Sequence, residues 1–422
     1  MFVNIPPMLL EIPRHTEIFG SLKIHELQRV IKLDSGDFES PLASSIPREA
    51  IRDVLRRSAM IIPIKNEKIH LLDGVLRAIP HDTSVIVVSN SAREPQDRYK
   101  MEREAVEHIA NLTGQPIMMI HQKDAGLAVA FNDVRYEHIL QGDSVRDGKA
   151  EGMLIGILLA KSMGKEFVGF VDADNYIPGS VNEYVMDYAA GFCLSESPYC
   201  MVRLAWRYKP KVMEERLYFR KWGRVSESTN KYLNMLLSAC TNFETGVIKT
   251  GNAGEHAMTM KLAEILEFST GYSIEPYHFV YLMEEFGACS AETSFTDAAR
   301  EGIEIFQIET LNPHIHEEKG EEHINAMLIA SLSTIYHSKL CTDFVRDVLR
   351  REIEEMTGKQ GEPPENLKMP PIQGIDAERF LKVLESASET FERFGYHSHE
   401  HATSASTAAE EEENGFYDAL EK

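Results

Sequence analysis

The chain has 422 residues, of which 43% are hydrophobic and 26% are charged, and its formal net charge at pH 7 is −22. A chain of this length can bury a sizeable core and hold one large domain beside a smaller one. Its acidity argues against nucleic acid or an anionic membrane as a partner, because both carry negative charge themselves.

The cysteines and the first residues indicate the compartment. Five scattered cysteines without a C-x-x-C pair are typical of reduced thiols, so we expect a cytoplasmic protein. The N-terminal stretch lacks a basic segment followed by an apolar core, and no apolar run approaches the length of a bilayer span. We therefore predict neither a signal peptide nor a membrane segment.

Strand-like and helix-like segments alternate from residue 59 to residue 171. Short apolar runs bounded by turn residues predict strands at Ala59–Ile64, Val85–Ser89, Pro116–His121 and Phe167–Val171. The longer segments between them predict helices at Glu67–Ile79, Asp97–Leu112 and Lys149–Met163. This alternation predicts an α/β fold with a mainly parallel, doubly wound sheet.

The remainder of the chain is richer in helices, and residues 1–45 are a mixed segment before the main fold. Two further strands are predicted, at Met201–Trp206 and Ile303–Ile308. Helices are predicted at Ser180–Ala190, Ser226–Cys240, Glu255–Glu267, Glu317–His337, Thr342–Met356 and Asp376–Phe394. From His397 onward the composition predicts a disordered acidic tail.

Two carboxylates, Asp172 and Asp174, follow the predicted strand at Phe167–Val171. The carboxyl ends of strands in an open α/β sheet are where such folds bind ligands. Carboxylate oxygens there suit Mg²⁺ or Mn²⁺, which usually complete their shells with substrate phosphates. The alternative is that the two residues only cap the next helix.

The turn after the first predicted strand of the alternation reads Pro63-Ile64-Lys65-Asn66-Glu67. It contains neither G-x-G-x-x-G nor G-x-x-x-x-G-K-S/T, which disfavours a dinucleotide-binding dehydrogenase and a P-loop NTPase. A nucleotide could still lie across the strand ends, held by Lys65, Asn66, Glu67 and the Ser89-Asn90-Ser91 turn.

Basic side chains are concentrated at two places in this acidic chain. Lys149 stands at the start of a predicted helix, where it would add to the positive end of the helix dipole and suit a phosphate. The alternative is an exposed lysine at an ordinary helix entry. The second place is either a pocket for an anionic substrate or a solvated helix face, and it holds Arg203, Arg207, Lys209, Lys211, Arg216, Arg220, Lys221 and Arg224.

The order of these motifs resembles that of glycosyltransferases with the GT-A fold. The motifs are Pro-Ile-Lys-Asn-Glu, the Ser-Asn-Ser turn, Gly-Lys-Ala-Glu-Gly at 148–152 and Asp-Ala-Asp. More closely, the chain resembles the mannosyl-3-phosphoglycerate synthases, and more distantly the glucosyl-3-phosphoglycerate synthases, from about residue 10 to about residue 390. Ala150 stands where such motifs often carry glycine. The resemblance implies a GT-A-type, Rossmann-like sheet with an α-rich C-terminal part.

The resemblance also implies roles for individual residues. Gly223, Arg224 and Ser226 would hold the acceptor's phosphate, and the Gly251–His256 loop beneath the sugar would bring Asn252 to the acceptor. The catalytic residues would be Asp174, Glu275 and Lys149. The donor would be bound by Pro63, Lys65, Asn66, Glu67, Ser89, Lys149, Asp172 and Ala253. The metal ligands would be Asp172, Asp174 and His316, with His314 as the alternative if the register is shifted.

Without the resemblance, these last assignments have plain alternatives. A His-x-His pair in a chain with sixteen histidines is more often a surface feature than a ligand set. Glu255 and Glu275 could be acids at helix starts, where they favour the dipole.

The implied reaction is configuration-retaining transfer of mannose from GDP-mannose to the 2-hydroxyl of 3-phospho-D-glycerate. A divalent metal is implied as cofactor, with Mg²⁺ expected first and Mn²⁺, Co²⁺ or Zn²⁺ as alternatives. The product belongs to the synthesis of mannosylglycerate, a compatible solute. The C-terminal helices could form a homodimer interface or cover the site. Three alternatives remain: transfer of glucose instead of mannose, a nucleotidyltransferase, and a non-catalytic nucleotide-sugar sensor. The nucleotidyltransferase is disfavoured because a Gly-rich phosphate loop is missing after the first strand of the alternation.

We accordingly divide the chain into five parts. These are an N-terminal extension (1–57), a nucleotide-sugar-binding α/β domain (58–200), an acceptor-binding and metal-completing region (201–317), a helical C-terminal region (318–395) and the acidic tail (396–422).

Overall fold

The computed structural model describes residues 8–11, 13, 15–30, 43–206, 209–213, 216–220, 223–288, 293–317 and 320–395. Its strands are β1 Met8–Glu11, β2 His15–Phe19, β3 Leu22–Val30, β4 Ala43–Ile46, β5 Ser58–Ile64, β6 Ser84–Ser89, β7 Ile117–His121, β8 Leu140–Gln141, β9 Ser144–Val145, β10 Phe167–Phe170, β11 Tyr199–Trp206, β12 Lys209–Met213, β13 Arg216–Arg220, β14 His256–Thr259, β15 Phe268–Ser269, β16 Ile303–Thr310, β17 His316–Glu317, β18 Lys368–Met369 and β19 Glu392–Phe394.

The α-helices are α1 Arg48–Arg56, α2 Ile69–Ala78, α3 Arg98–Thr113, α4 Ala125–Asp133, α5 Lys149–Ser162, α6 Pro178–Leu194, α7 Arg224–Thr241, α8 Met260–Ile265, α9 Ile274–Phe286, α10 Thr296–Glu301, α11 Glu321–Tyr336, α12 Asp343–Thr357 and α13 Ala377–Ala387. Single 3₁₀ turns form at Glu137–Ile139 and Gly271–Ser273. Across the described ranges, no helix is both long enough and apolar enough to cross a membrane.

One 12-stranded sheet organises these elements in the order β19-β7-β6-β5-β10-β14-β11-β16-β3-β1-β4, with β2 paired to β3. The strands β7, β6, β5 and β10 are parallel to one another, and so are β11, β16 and β3. Between these groups, β14 runs antiparallel to both β10 and β11. The predicted α/β class is confirmed, and strands from four of the five predicted parts of the chain join this one sheet.

Helices cover both faces of the parallel strands, which explains why these strands read as continuous apolar runs. Every residue of β6 and β7 is buried. Helix α5 lies so close to β5 that a Cβ at Gly156 would come within 2.4 Å of the Ile61 side chain. Because α5 is held this tightly, its first residue, Lys149, has a fixed place at the carboxyl edge of the sheet.

Two predicted helices are wrong in part. Instead of one helix at Glu255–Glu267, His256–Thr259 forms β14 and α8 begins at Met260. A four-residue strand between two neighbours is buried on both faces, so its sequence shows no alternation that would distinguish it from a buried helix. In the last predicted helix, α13 ends at Ala387 and β19 follows, because Glu392–Phe394 pair with β7.

The N-terminal segment contributes more regular structure than its mixed sequence indicated. It contains β1 to β3, and β3 extends the sheet by pairing in parallel with β16. The helices α4 and α9 were also not predicted. The predicted acidic tail at 396–422 lies outside the described residues.

Polar contacts fasten β19 to the edge of the sheet. The Asp124 carboxylate accepts hydrogen bonds from the Thr390 N–H group (2.8 Å) and hydroxyl (2.6 Å) and from the Glu389 N–H group (3.1 Å). Arg103 donates to both carboxylate oxygens of Glu392, at 2.7 Å each. The edge is thereby closed by a three-residue strand, which offers few groups for pairing with another chain.

The Asp124 contacts yield a stability prediction. The Asp124→Ala change should lower the free energy of unfolding by about 2–3 kcal/mol, because buried N–H and hydroxyl donors lose a charged acceptor. Urea denaturation would measure this difference. As a control, Glu104→Ala on the exposed face of α3 should change the same free energy by about 0.5 kcal/mol or less. Equal stability of the two variants would contradict the role given to Asp124.

Candidate active site

A cavity of about 260 Å³ lies at the carboxyl ends of β5, β6 and β10, the edge at which α/β sheets bind ligands. Most of the predicted site residues meet in its wall, although they come from distant parts of the chain. They are Pro63, Lys65, Glu67, Lys149, Asp172, Asp174, Gly223, Ser226, Asn252, Glu275, His314 and His316.

The Lys149 ammonium group lies between two carboxylates in this wall. Its Nζ atom is 2.7 Å from Oδ1 of Asp172 and 3.1 Å from Oε1 of Glu275. Burial alone would lower the pKa of Lys149, but the two carboxylates outweigh it and raise the pKa above its usual value. The alternative of an exposed lysine at a helix entry is wrong, since only 18% of this side chain is exposed.

Gly254 allows the backbone to pass directly over this charged group. A Cβ at Gly254 would lie 2.7 Å from Oδ2 of Asp172 and 2.9 Å from Nζ of Lys149. Both distances are shorter than real Cβ contacts, so a side chain here would displace the ion pair. The segment predicted to lie beneath the sugar is therefore in van der Waals contact with the ion pair of Lys149 and Asp172.

The Asp172–Asp174 pair does not cap the following helix. Helix α6 begins at Pro178, and its N-cap residue, Ile177, makes no side-chain hydrogen bond to it. The loop is instead tied to the segment before β17, because the Tyr176 N–H group donates to the Ile315 carbonyl at 3.0 Å.

Asn175 extends this connection into the interior. Its amide group donates to the Asp172 carbonyl (2.9 Å) and to the buried Glu255 carboxylate (3.0 Å). Glu255 in turn lies 3.5 Å from Nδ1 of His314, whose ring stacks on Trp206 at 4.6 Å between centroids. His314 is therefore oriented by a carboxylate and an aromatic ring.

The segment that carries both histidines is anchored by Glu183 on α6. The Glu183 carboxylate accepts hydrogen bonds from the Leu311 N–H group (2.7 Å), the Asn312 N–H group (2.9 Å) and the Asn312 side chain (2.7 Å). The rings of His314 and His316 lie 5.0 Å apart. Three bonds to one buried carboxylate thus fix the segment that leads to the two imidazoles.

On the predicted donor side, two residues face away from the cavity. Asn66 has a left-handed backbone (φ 62°) and accepts a hydrogen bond from the Ala92 N–H group at 2.8 Å. Ser89 is fully buried and donates to Glu102 at 2.6 Å, as Ser91 also does. Burial raises the pKa of Glu102, although these two hydrogen bonds oppose the shift. In this structure both residues shape the turns around the cavity, and their donor contacts stay predictions.

The predicted acceptor side is formed by the start of α7 and by the loop before β14. Gly223, the N-cap residue of α7, and Ser226 in its first turn line the cavity, and so does Asn252. The Asn252 side chain donates to Ser331 on α11 at 3.0 Å. Ala253 is buried behind this wall, and the side chain of Arg224 lies outside the described residues.

Of the predicted basic stretch, the structure describes the side chains of Arg203 and Arg216 alone. Arg203 is fully buried within β11, so its inclusion among the basic groups facing an anionic substrate is wrong. Arg216 is exposed, whereas Arg207 and Lys221 lie outside the described residues. The side chains of Lys209, Lys211, Arg220 and Arg224 are likewise not described.

Several wall residues were not predicted. Gln122 follows β7 at the same edge, a position that the predicted strand end could have indicated, whereas the neighbouring Asn90 was predicted as part of the Ser89-Asn90-Ser91 turn. Helix α11 contributes His323, Ile324 and Met327, and Nδ1 of His323 lies 3.5 Å from the Tyr272 hydroxyl. No motif in the sequence of α11 marks it as part of a site.

Comparison with known proteins identifies the family. The family model described as "Mannosyl-3-phosphoglycerate synthase (osmo_MPGsynth)" matches residues 12–384. The chain belongs to the mannosyl-3-phosphoglycerate synthase family. Mannosyl-3-phosphoglycerate synthase from Pyrococcus furiosus is 59% identical over 393 residues, covering 92% of this chain and all of that protein. The protein of the same name from Aeropyrum pernix is 36% identical and covers 91% of this chain and 99% of that one. The predicted resemblance is confirmed, and with it the class of glycosyltransferase.

Solved structures similar to this family member include glucosyl-3-phosphoglycerate synthase from Mycobacterium tuberculosis in complex with phosphoglyceric acid. The TM-score is 0.47 and the sequence identity is 15%, with 78% of this chain and 96% of that chain covered. A complex of the same enzyme with Mn²⁺, uridine diphosphate and glucosyl-3-phosphoglycerate has a TM-score of 0.47 and 16% identity, with the same coverage of both chains.

The close approach at Gly254 yields a prediction for this family member. The Gly254→Ala change should lower the rate of glycosyl transfer roughly tenfold or more, because the added methyl group displaces the Lys149–Asp172 pair. Gly374→Ala is the matched control, since a Cβ there meets no atom within 4 Å. Initial rates of both variants would show the difference, and an unchanged rate for Gly254→Ala would mean that the loop tolerates a side chain.

Proposed function

We propose that the protein transfers mannose from GDP-mannose to the 2-hydroxyl of 3-phospho-D-glycerate, with GDP as the second product. The observation that carries this proposal is a single cavity that contains the 63–67 turn, the Asp172–Asp174 loop and the start of α7. The names of the two relatives, of which one is 59% identical over nearly the whole chain, support the choice of substrates.

The residues present fit a divalent cation that is shared with substrate. Asp174 and His316 line the same cavity and are joined through the Tyr176–Ile315 hydrogen bond. Within the described residues, no three His, Cys, Asp or Glu side chains are grouped closely enough to hold an ion by themselves. Mg²⁺ and Mn²⁺ commonly take one or two protein ligands and complete their shells with phosphates and water, so this donor set suits them.

We therefore assign Asp174 and His316 as the metal ligands, with Asp172 beside them. A divalent ion held there supplies positive charge against the diphosphate of the departing nucleotide. His314 is the alternative ligand, since a carboxylate on Nδ1, here Glu255, is also how proteins orient metal-binding imidazoles.

The anchoring of the histidine segment yields a prediction about metal affinity. The Glu183→Gln change should weaken Mn²⁺ binding roughly tenfold, because an amide cannot accept all three hydrogen bonds from residues 311 and 312. Electron paramagnetic resonance of free Mn²⁺ in a titration would measure the affinity without any turnover. The exposed Glu196→Gln change serves as the control and should leave the affinity unchanged. Equal affinities of the two variants would contradict the anchoring role.

Lys149 has two roles in the proposed reaction. Its charge would stabilise the negative charge that develops on the leaving diphosphate, and it holds Asp172 and Glu275 in place. The nucleotide would lie toward Pro63, Lys65 and Glu67, at the carboxyl end of β5.

The acceptor would be bound at the opposite wall. The free N–H groups at the start of an 18-residue helix favour anions, so the first turn of α7 with Ser226 suits the phosphate of 3-phosphoglycerate. Gly223 and Arg224 belong to the same segment, and Asn252 faces the cavity from the neighbouring loop. Holding both substrates in one geometry would supply much of the rate enhancement.

For retention of configuration we favour attack on the same face as the leaving group, with the departing phosphate accepting the acceptor's proton. Glu275 is engaged by the Lys149 ammonium group, which suits an orienting role better than that of a nucleophile. A covalent mannosyl adduct of Glu275, trapped and located by mass spectrometry, would contradict this mechanism.

The proposal is tested by product formation from GDP-mannose and 3-phosphoglycerate with Mg²⁺. Wild-type protein should form a phosphorylated mannosyl product, and Asp174→Ala should form it roughly 100-fold more slowly, because the metal site loses a ligand. The same assay with UDP-glucose and GDP-glucose distinguishes mannose transfer from glucose transfer. Binding of GDP-mannose without turnover would favour a sensor instead, and no binding would exclude this donor.

A further inference from the structure

Three buried polar side chains form a row across one face of the sheet, on the adjacent strands β14, β11 and β16. His256, Arg203 and Gln307 are direct neighbours in the strand register. Each of the three residues is 0% exposed. Burying polar groups costs free energy unless they find hydrogen-bond partners, so this row needs polar partners in the interior.

The row finds its partners in the segment 247–254, which contains no helix or strand. At one end, Gln307 donates to the Val247 carbonyl (2.7 Å) and accepts from the Lys249 N–H group (2.8 Å). At the other end, Nδ1 of His256 lies 3.0 Å from the Ala253 carbonyl. The irregular segment is therefore laid along the polar row, with Asn252 and Gly254 reaching the cavity.

Arg203, in the middle of the row, connects this segment to a second element. Its guanidinium group donates to the Thr250 carbonyl through Nε (3.1 Å) and Nη2 (2.7 Å), and Nη2 also lies 3.4 Å from the Gly251 carbonyl. The same Nη2 lies 3.1 Å from the carbonyl of Glu275, in the first turn of α9. The guanidinium carbon is 4.7 Å from the centre of the Phe279 ring.

We infer that Arg203 is a positioning residue for the transfer reaction, because it fixes the separation between the Asn252 loop and Glu275. These two residues face the cavity from separate segments, and Arg203 is hydrogen-bonded to the backbone of both. A guanidinium group suits this task because its donors point in fixed directions within one plane. The inference rests on the proposed function and adds a residue that does not line the cavity itself.

A lysine at this position would keep the charge and lose the geometry. Its single ammonium group cannot reproduce the guanidinium fork, so the segment 250–252 and the first turn of α9 would shift relative to each other. Displacements of about 1 Å in a catalytic arrangement can lower rates roughly 100-fold. Burial lowers the pKa of Arg203 to about 9, so the guanidinium group stays protonated at neutral pH and its donors remain in place.

The test compares kcat with donor affinity in Arg203→Lys. We expect kcat for mannose transfer to fall roughly 10- to 100-fold, while the Kd for GDP-mannose, measured by isothermal titration calorimetry with Mg²⁺, changes less than about threefold. The donor affinity should survive because Lys65 and Glu67 lie in the turn after β5, whereas the described hydrogen bonds of Arg203 go to the segment 250–251 and to Glu275. A merely structural role would lower Tm and leave kcat per folded molecule unchanged.

Two further variants keep the test decisive. Arg103→Lys makes the same substitution in the ion pair between α3 and Glu392 of β19, and it should leave kcat unchanged. Phe279→Leu removes the ring beside the guanidinium group without removing any of its hydrogen bonds, so it should fold and lower kcat several-fold with an unchanged Kd.

The outcomes separate the inference from the proposed function. Wild-type protein that does not transfer mannose would overturn the proposed function and the inference with it. If the wild-type protein is active and Arg203→Lys has the same kcat, the role of Arg203 would be overturned while the proposed function would stand. If Arg203→Lys does not fold, an unchanged kcat in Phe279→Leu would have the same meaning.

Discussion

The arrangement of the site depends on one ammonium group held between two carboxylates from different parts of the chain. Lys149 begins α5, Asp172 follows β10 and Glu275 lies in the first turn of α9. Two carboxylates brought close together, one buried and one partly buried, repel each other unless a cation pairs with both, so the lysine makes their proximity possible. The packing of α5 on β5 at Gly156 fixes the helix that presents Lys149. The packing of α5 in the core therefore also determines where the charge of Lys149 lies in the site.

The net charge of −22 makes local positive charge necessary, because both proposed substrates are anionic. Among the described residues, the cavity supplies it from the Lys149 and Lys65 side chains and from the N-terminal end of α7. The proposed metal would add to these. An acidic protein can bind phosphates in this way while its surface repels other polyanions, since screened charges act mainly over short distances.

The sequence was most informative about functional residues that directly follow a predicted strand or open a predicted helix. The places of Asp172, Asp174, Lys149 and the 63–67 turn could be predicted, because parallel strands bring their carboxyl ends to one edge. The directions in which side chains point could not be predicted. Ser89 faces Glu102 and Arg203 faces the segment 247–254, and both orientations depend on partners distant in sequence. The contribution of α11 to the cavity wall depends on contacts between distant parts of the chain, which local sequence patterns do not encode. The short strand β14 forms for the same reason, because it pairs with β10.

The most direct test of this account is the transfer rate of Lys149→Met, measured beside its far-ultraviolet circular dichroism. Methionine keeps much of the side chain's volume and removes the charge that joins Asp172 to Glu275. We expect a folded protein whose transfer rate is roughly 100-fold or more below that of the wild type. A folded variant with a rate close to that of the wild type would contradict the central place given to this ion pair.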